Sequence, residues 1–193
     1  MVLVTMARVT KPDDVVTVAG SIFAVASSSS VGQRVMATED VRGVLVAMGA
    51  VSASEMARSA VAAAICAITD QNAEAARMMA RPEVRGVLVV MGAASASDKV
   101  HRAVAVAMCH IASGFQEGQR VMAREEVRDV LVLMGAASSD GVRRVVAAAI
   151  GNIASEFEEG KRVMASEDVR RVLVVMLLAT ASDQVRRAVG ITI

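Results

Sequence analysis

The chain contains no tryptophan and no tyrosine, and phenylalanine occurs only three times. With so few aromatics the interior has to be built from Ala, Val, Met and Leu, and hydrophobic residues make up 54% of the sequence. Small side chains let helices approach closely, and Met fills irregular gaps. Long apolar runs are also missing. Runs such as 172–181 reach about ten residues, whereas a membrane-spanning helix needs about 20. Neither charge is in surplus: 21 basic and 20 acidic residues leave a formal net charge of +1. A nucleic-acid footprint needs a basic surplus on one face, and a polybasic membrane anchor needs the same, so the balance argues against both partners. Residues 1–6 are apolar but short and follow no basic start, which is not the layout of a signal peptide. Two cysteines suit a reducing compartment, and the expected location is cytoplasm or nucleus.

What the chain does have is a repeat. Arg34-Val-Met-Ala, Arg77-Met-Met-Ala, Arg120-Val-Met-Ala and Arg162-Val-Met-Ala stand 43, 43 and 42 residues apart. A second block follows the same count, at Val44-Leu-Val-Ala-Met-Gly, Val87-Leu-Val-Val-Met-Gly, Val130-Leu-Val-Leu-Met-Gly and Val172-Leu-Val-Val-Met-Leu. A period of about 40–47 residues is that of helical solenoids. One such unit cannot bury its own apolar face, so neighbouring units must stack into a continuous core.

Within the clearest unit, 120–155, with its lead-in from 117, three helices are expected near 117–124, 126–137 and 141–154. Ser166-Glu167-Asp168 offers a cap and an acidic first turn, and Glu125-Glu126 and Glu39-Asp40 repeat the negative charge. Pro82 falls near a first helical position, where its missing N–H is harmless. Ser139-Asp140, Ser97-Asp98 and Ser182-Asp183 are expected to cap the third helices. Glu125 with Arg128, and Glu167 with Arg170, are i,i+3 pairs expected on an exposed face, worth only tenths of a kcal/mol each. The third helix, Val145-Val-Ala-Ala-Ala-Ile, is apolar nearly all round and is expected innermost. Val2-Leu-Val-Thr-Met6 matches a second helix, 15–26 a third, and Pro12-Asp13-Asp14 the turn between them.

The segment Val145-Val-Ala-Ala-Ala-Ile-Gly-Asn152-Ile-Ala-Ser155 resembles the third helix of an armadillo repeat, and with the period the resemblance extends over the whole chain. It implies an all-α, right-handed α-solenoid of about four to five three-helix repeats, forming one domain over 1–193. The expected repeats are 1–30 (partial), 31–70, 71–113, 114–155 and 156–193 (partial). Both ends fall inside repeats, and Val172, Leu173, Val174, Met176, Leu177 and Leu178 do not form the polar cap a terminal repeat needs. A piece of a longer array, or ends covered by another copy, is the expectation.

In armadillo proteins the third helices line a concave groove that holds an extended partner segment, and a groove Asn bonds the partner's backbone. The matching positions here are Ala24, Ala67, His110 and Asn152. One turn earlier, where peptide-carrier members place Trp, stand Gly20, Ala63, Val106 and Ala148, which argues against nuclear-import-style recognition of basic peptides. Helical spacing puts 145, 148, 149 and 152 in one stripe. That small, smooth floor either accepts a bulky partner such as an amphipathic helix or only packs against neighbouring helices. Near the start of the third helices stand Arg58 and Ser59, His101 and Arg102, Arg143 and Arg144, Arg186 and Arg187. Arg presents a planar donor fork to carboxylates, so this stack would favour an acidic partner. The balanced charge favours the other reading, solvated helix ends paired with nearby Asp and Glu. His101 is expected to face solvent.

Phe115 and Phe157 hold the same place before the first short helix and are expected to be structural staples. Cys66 and Cys109 are equivalent positions in stacked repeats. Helix axes pack about 8–10 Å apart, while a disulfide usually needs Cα atoms within about 7 Å, so two free, mostly buried thiols are expected. Gly92 and Gly135 end the apolar runs of the second helices and read as packing or bending sites. The adjacent Cys109 and His110 point in different directions and do not make a metal site. No Gly-rich phosphate loop, paired catalytic carboxylates or Ser/His/Asp grouping appears, and no cofactor is expected. The expected function is a non-catalytic scaffold that binds a protein or peptide segment, helical or acidic, through Asn152, His110, Arg144, Arg102, Arg58, Arg187, Ala148 and Val106. The alternative is a structural spacer contacting its neighbours, including further copies end to end, through open ends.

Overall fold

The computed structural model describes residues 11–113 and 115–192 and contains thirteen helices and no strand among them. The first, α1 (Pro12–Ser28), stands where a third helix is expected. Three-helix units follow: α2 (Ser30–Met36), α3 (Glu39–Val51) and α4 (Glu55–Thr69); then α5 (Ala73–Met79), α6 (Pro82–Ala93) and α7 (Asp98–Ala112). The fourth unit is α8 (Gln116–Met122), α9 (Glu125–Ala137) and α10 (Asp140–Ala154), and the fifth is α11 (Glu158–Met164), α12 (Glu167–Ala179) and α13 (Asp183–Thr192). The second helix expected at Val2–Met6, and Gly114 and Ile193, lie outside the described residues. Third helices stack in one layer, α1 on α4, α4 on α7, α7 on α10 and α10 on α13, while α3, α6, α9 and α12 stack in a second. Substantial packing joins helices only within a unit or between adjacent units, so the fold advances along an axis as an all-α solenoid.

Several local expectations change. Pro12 is the first residue of α1, with Asp13 and Asp14 in its first turn, rather than part of a turn between helices. Thr38, Ser54, Asn72 and Ser166 accept hydrogen bonds from the backbone N–H three residues on, as N-caps do. Ser97 and Ser139 occupy N-cap positions without making that bond. The hydroxyl two residues ahead takes over part of the work: the N–H of Ser97 donates to Ser95 Oγ, and that of Ser182 to Thr180 Oγ1, both at 3.0 Å.

Those displaced hydroxyls belong to a row of cross-repeat bonds. Ser95 Oγ donates to Glu55 Oε2 at 2.6 Å, the Ser139 N–H donates to Asp98 Oδ2 at 3.2 Å, and Thr180 Oγ1 donates to Asp140 Oδ2 at 2.7 Å. In each case the first residue of a third helix grips the turn that opens the third helix of the next unit. Hydrogen bonds from Ser139 hold the Asp98 carboxyl below the usual carboxylate range. That link is therefore complete above the ordinary range and is lost as pH falls through the lowered value.

A parallel row lies on the second helices. Arg42 donates to Met78 O and Arg85 to Val121 O, and Arg85 also pairs with Glu126 at 3.2 Å. These arginines are largely covered and bridge units. Arg128 pairs chiefly with Asp129 at 2.7 Å, and Glu125 stands 4.0 Å away, so the expected exposed Glu125–Arg128 pair is the weaker partner. Arg170 does pair with Glu167 in the open.

Phe115 and Phe157 precede α8 and α11, half-buried against the core. The guanidinium of Arg77 lies over the Phe115 ring at 5.7 Å and that of Arg120 over the Phe157 ring at 5.8 Å. Each cation–π contact joins adjacent units and is worth about 0.5–1 kcal/mol at an exposed site.

Glycines mark the tightest approaches. A Cβ on Gly118 would stand 1.8 Å from Ile111 O, and on Gly160 2.0 Å from Ile153 O, so the short first helices sit directly on the ends of the preceding third helices. A Cβ on Gly92 would meet Val130 Cγ2 at 2.8 Å, which makes this a packing glycine rather than a bend. Gly43, inside α3, has nothing within 4 Å of that position. Gly118→Ala is expected to destabilise by about 1–3 kcal/mol through overpacking. Gly43→Ala is expected to stabilise by about 0.5–1 kcal/mol through helix propensity alone. Opposite shifts of the thermal midpoint by circular dichroism are the check; shifts of the same sign would contradict the packing described.

Candidate functional site

The third helices leave a shallow floor of small side chains. Ala60 and Ala63 of α4, Ala103 and Val106 of α7, and Ala148 of α10 are partly exposed along it. The third position of each expected stripe is not part of the floor. Ala64, Ala107 and Ala149 are fully buried and pack inside. On α1 the floor continues through exposed Gly20 and Ala24.

Between α7, α10 and α13 the floor deepens into an open pocket of about 980 Å³. Val106, His110, Arg144, Ala148, Asn152 and Arg187 all line it. Six of the eight residues expected to bind a partner are thus brought to one place. Arg102 is exposed one unit further along the same row and lies near enough to Cys66 to act on its thiol. Arg58 is elsewhere: its guanidinium donates to Ala94 O at 3.2 Å and pairs with Glu55 at 3.3 Å, so it joins units instead of facing the groove.

The reason is a one-residue offset. Arg58 shares its row with His101, Arg143 and Arg186, whereas Arg102, Arg144 and Arg187 share theirs with Ser59. Arg58, His101 and Arg143 of the first row turn inward, while Arg186 in the last unit stays exposed. His101 is 3% exposed, with Nδ1 2.9 Å from Ser138 Oγ and Nε2 2.9 Å from Ser95 O. A carbonyl only accepts, so Nε2 carries a hydrogen and donates it to Ser95 O, while Nδ1 shares a hydrogen bond with the Ser138 hydroxyl. The expectation of a solvent-facing His101 fails because both ring nitrogens find partners under the turns of two units. Arg143 and Arg186 pair with Asp140 and Asp183. In the second row Ser59 is buried, whereas Arg102, Arg144 and Arg187 are exposed and have no carboxylate partner among the described residues.

The polar side chains of the floor are engaged between units. Asn152 Nδ2 donates to Cys109 O at 3.2 Å and lies 3.2 Å from Cys109 Sγ. Its Oδ1 is the part of the amide left for a partner. His110 is a quarter exposed, with Nε2 3.8 Å from Asp70 and Nδ1 3.5 Å from Thr69 Oγ1, both from the preceding unit. Cys66 and Cys109 are free and mostly buried, as expected. Burial pushes the Cys66 thiol up to about 11, helped by Asp70 and Cys109 and opposed by Arg102. Burial raises Cys109 too, against the Asn152 hydrogen bond. Among the described residues no group of three or more His, Cys, Asp or Glu could hold a metal, and no helix is long and apolar enough to cross a membrane.

No family model and no curated protein matches the chain. Solved structures do. The chain is similar to computationally designed armadillo repeat proteins for modular peptide recognition, at 22% identity over 98% of this chain and 79% of that one, with a TM-score of 0.84. A designed armadillo repeat protein in complex with the peptide (KR)4 matches at 22% identity over 98% and 78%, TM-score 0.83. An engineered protein matches at 24% identity over 98% and 76%, TM-score 0.83. At such identities the likeness defines the fold: this chain is an armadillo-like repeat solenoid.

The raised thiols give a direct test of the floor's packing. A Cys66 thiol near 11 is almost wholly protonated at pH 8, and the thiolate is the reactive form. Both cysteines are expected to react with an aromatic disulfide reagent at pH 8 several-fold more slowly in the folded protein than in urea, the folded rate climbing as pH approaches 11. Equal rates in both states would show the thiols to be open.

Proposed function

We propose that this solenoid is a non-catalytic interaction scaffold that docks an acidic protein segment along its third-helix groove, centred on the pocket between α7, α10 and α13. The observation that carries this reading is the exposed row Arg102, Arg144 and Arg187, unpaired with any carboxylate among the described residues, beside inner-row arginines that are paired. A guanidinium in a partly walled groove is worth more to a carboxylate than the same group in open water. Ala148 and Val106 form the floor under the segment, and His110 and the Asn152 amide oxygen supply polar anchors at its centre. In an extended segment, side chains on one face recur every second residue, so alternating carboxylates suit the row. The designed relative holds a basic peptide; the arginine row supports the opposite sign here. Balanced overall charge argues against nucleic acid as the partner. The two free thiols support a reducing compartment, cytoplasm or nucleus.

A second reading rests on a different observation. An open pocket of about 650 Å³ lies on the end face of α10–α12, lined by Ile150, Met164, Val169, Leu173 and Val174 among others. A spacer that contacts neighbours, or further copies, through its ends would use that face.

The groove reading is tested by fluorescence anisotropy with a labelled peptide of alternating Glu and Ala, against one of alternating Lys and Arg. The acidic peptide is expected to bind, weakening as salt screens the charges. Arg144→Glu with Arg187→Glu is expected to cost roughly tenfold or more in affinity, while Arg58→Ala changes stability and leaves binding in place. Preference for the basic peptide, or unchanged binding in the double variant, would reject the groove reading.

A further inference from the structure

A position covered in every unit but the last faces the unit that follows. Gly190 is such a position. It continues the row Ala19, Ala62, Ala105 and Ala147, all fully buried, yet it is exposed, and a Cβ there would meet nothing within 4 Å. Arg170 is another. Its equivalents Arg42, Arg85 and Arg128 are largely covered, and the first two donate to carbonyls of the next unit, whereas Arg170 is 74% exposed. The opening carboxylates Glu55, Asp98 and Asp140 each grip the next unit, whereas Asp183 is 79% exposed and pairs with Arg186 of its own helix. Arg77 and Arg120 lie over phenylalanine rings of the next unit, whereas Arg162 stands in the open beside Glu159. The open pocket of about 650 Å³ belongs to the same face. There Met164, Val169 and Leu173 hold the positions of Met122, Val127 and Leu131, which are fully buried.

We infer, resting on the end-face reading and independently of the groove, that this face docks one further three-helix unit of the same kind, carried by a partner and set in the register of the units before it. Continuity with the interface already formed by α1 on α4, α4 on α7, α7 on α10 and α10 on α13 selects that occupant. A third helix crossing Gly190 can approach as closely as the alanine row allows elsewhere. A turn hydroxyl or N–H opposite Asp183, a carbonyl opposite Arg170 and an aromatic ring opposite Arg162 complete the set, and each meets a group already in place. The leading face of a second copy does not match. On α1, Asp14 and Ser21 are exposed at the positions of Ala57 and Ala64, which are fully buried in α4. Seating α1 on α13 would take Asp14 out of water against an apolar row, which costs free energy unless the carboxylate is paired.

The test compares the full chain with one extended by a second copy of residues 151–193 placed directly after 193, which continues the repeat in register and supplies a unit of the stated kind. By circular dichroism the extended chain is expected to melt in one transition, at least ~5 °C above the parent. Gly190→Leu at the junction is expected to move the parent's midpoint by less than ~2 °C and to remove most of the rise in the extended chain. Arg170→Ala is expected to remove part of the rise and to leave the parent nearly unchanged. An extended chain that melts no higher, or a Gly190→Leu effect equal in both chains, overturns the inference. If sedimentation equilibrium instead shows the parent rising towards two chains, and Gly190→Leu returns it to one, a second copy covers the face; the inference then fails while the end-face reading stands. No rise in melting and a parent that stays at one chain overturn both. Binding of the acidic peptide to the parent reads the groove separately.

Discussion

Close contact between the third helices of successive units is the constraint on which the rest depends. It runs through a row of alanines: Ala19, Ala62, Ala105 and Ala147 are all fully buried. A methyl side chain lets two helix axes approach to the near end of the usual range. At that distance the carbonyls, hydroxyls and carboxylates around the helix ends reach across to the next unit. Larger residues in this row would separate the units, and the bonds from Glu55 to Ser95 and from Asp140 to Thr180 would open together.

This constraint explains how a chain without tryptophan or tyrosine builds an interior. Each unit contributes Val, Ile and Met around the alanine row, such as Ile65, Met108 and Ile150 at equivalent positions. None of these faces is covered within its own unit. Stability of such an array is a sum of unit and interface terms, and the interface terms here are partly polar. Cross-repeat hydrogen bonds are oriented, so they fix register where alanine against alanine would slide. The few aromatics serve the same end, because Phe115 and Phe157 each receive an arginine from the unit before.

Much of the fold was legible in the sequence because period and helix pattern are one-dimensional signals. The spacing of the Arg-Val-Met-Ala blocks, Pro82 at a helix start and the acidic first turns all reappear in the helices. What was not legible depends on rotation and reach. Ser97 and Ser139 have the residue type of a cap, yet their hydroxyls make no cap bond; their own backbone N–H groups donate instead to the Ser95 hydroxyl and the Asp98 carboxylate. His101 sits beside arginines on a helix end and reads as exposed, yet the turns of two units close over it. A periodic signal did mark these partners, since Ser95, Ser138 and Thr180 are equivalent positions, and a buried hydroxyl column in a repeat is a sign of a bond made between units.

The groove was legible in outline and wrong by one residue in part. Adjacent residues on an α-helix are rotated by about 100°, so an Arg-Arg pair cannot place both side chains on one surface. Arg143 is covered and Arg186 exposed, and each pairs with the aspartate three residues before it on its own helix; Arg144 and Arg187 line the groove pocket and find none. In repeat three the pair is His101 and Arg102, and the division is the same. In repeat two it is Arg58 and Ser59, so the interface row keeps its cation and the groove row loses it. The positive row therefore begins at Arg102 and strengthens towards α13. That end of the groove, where Asn152 and His110 also stand, is the one the proposed acidic segment needs; towards α1 the floor offers only alanine and glycine.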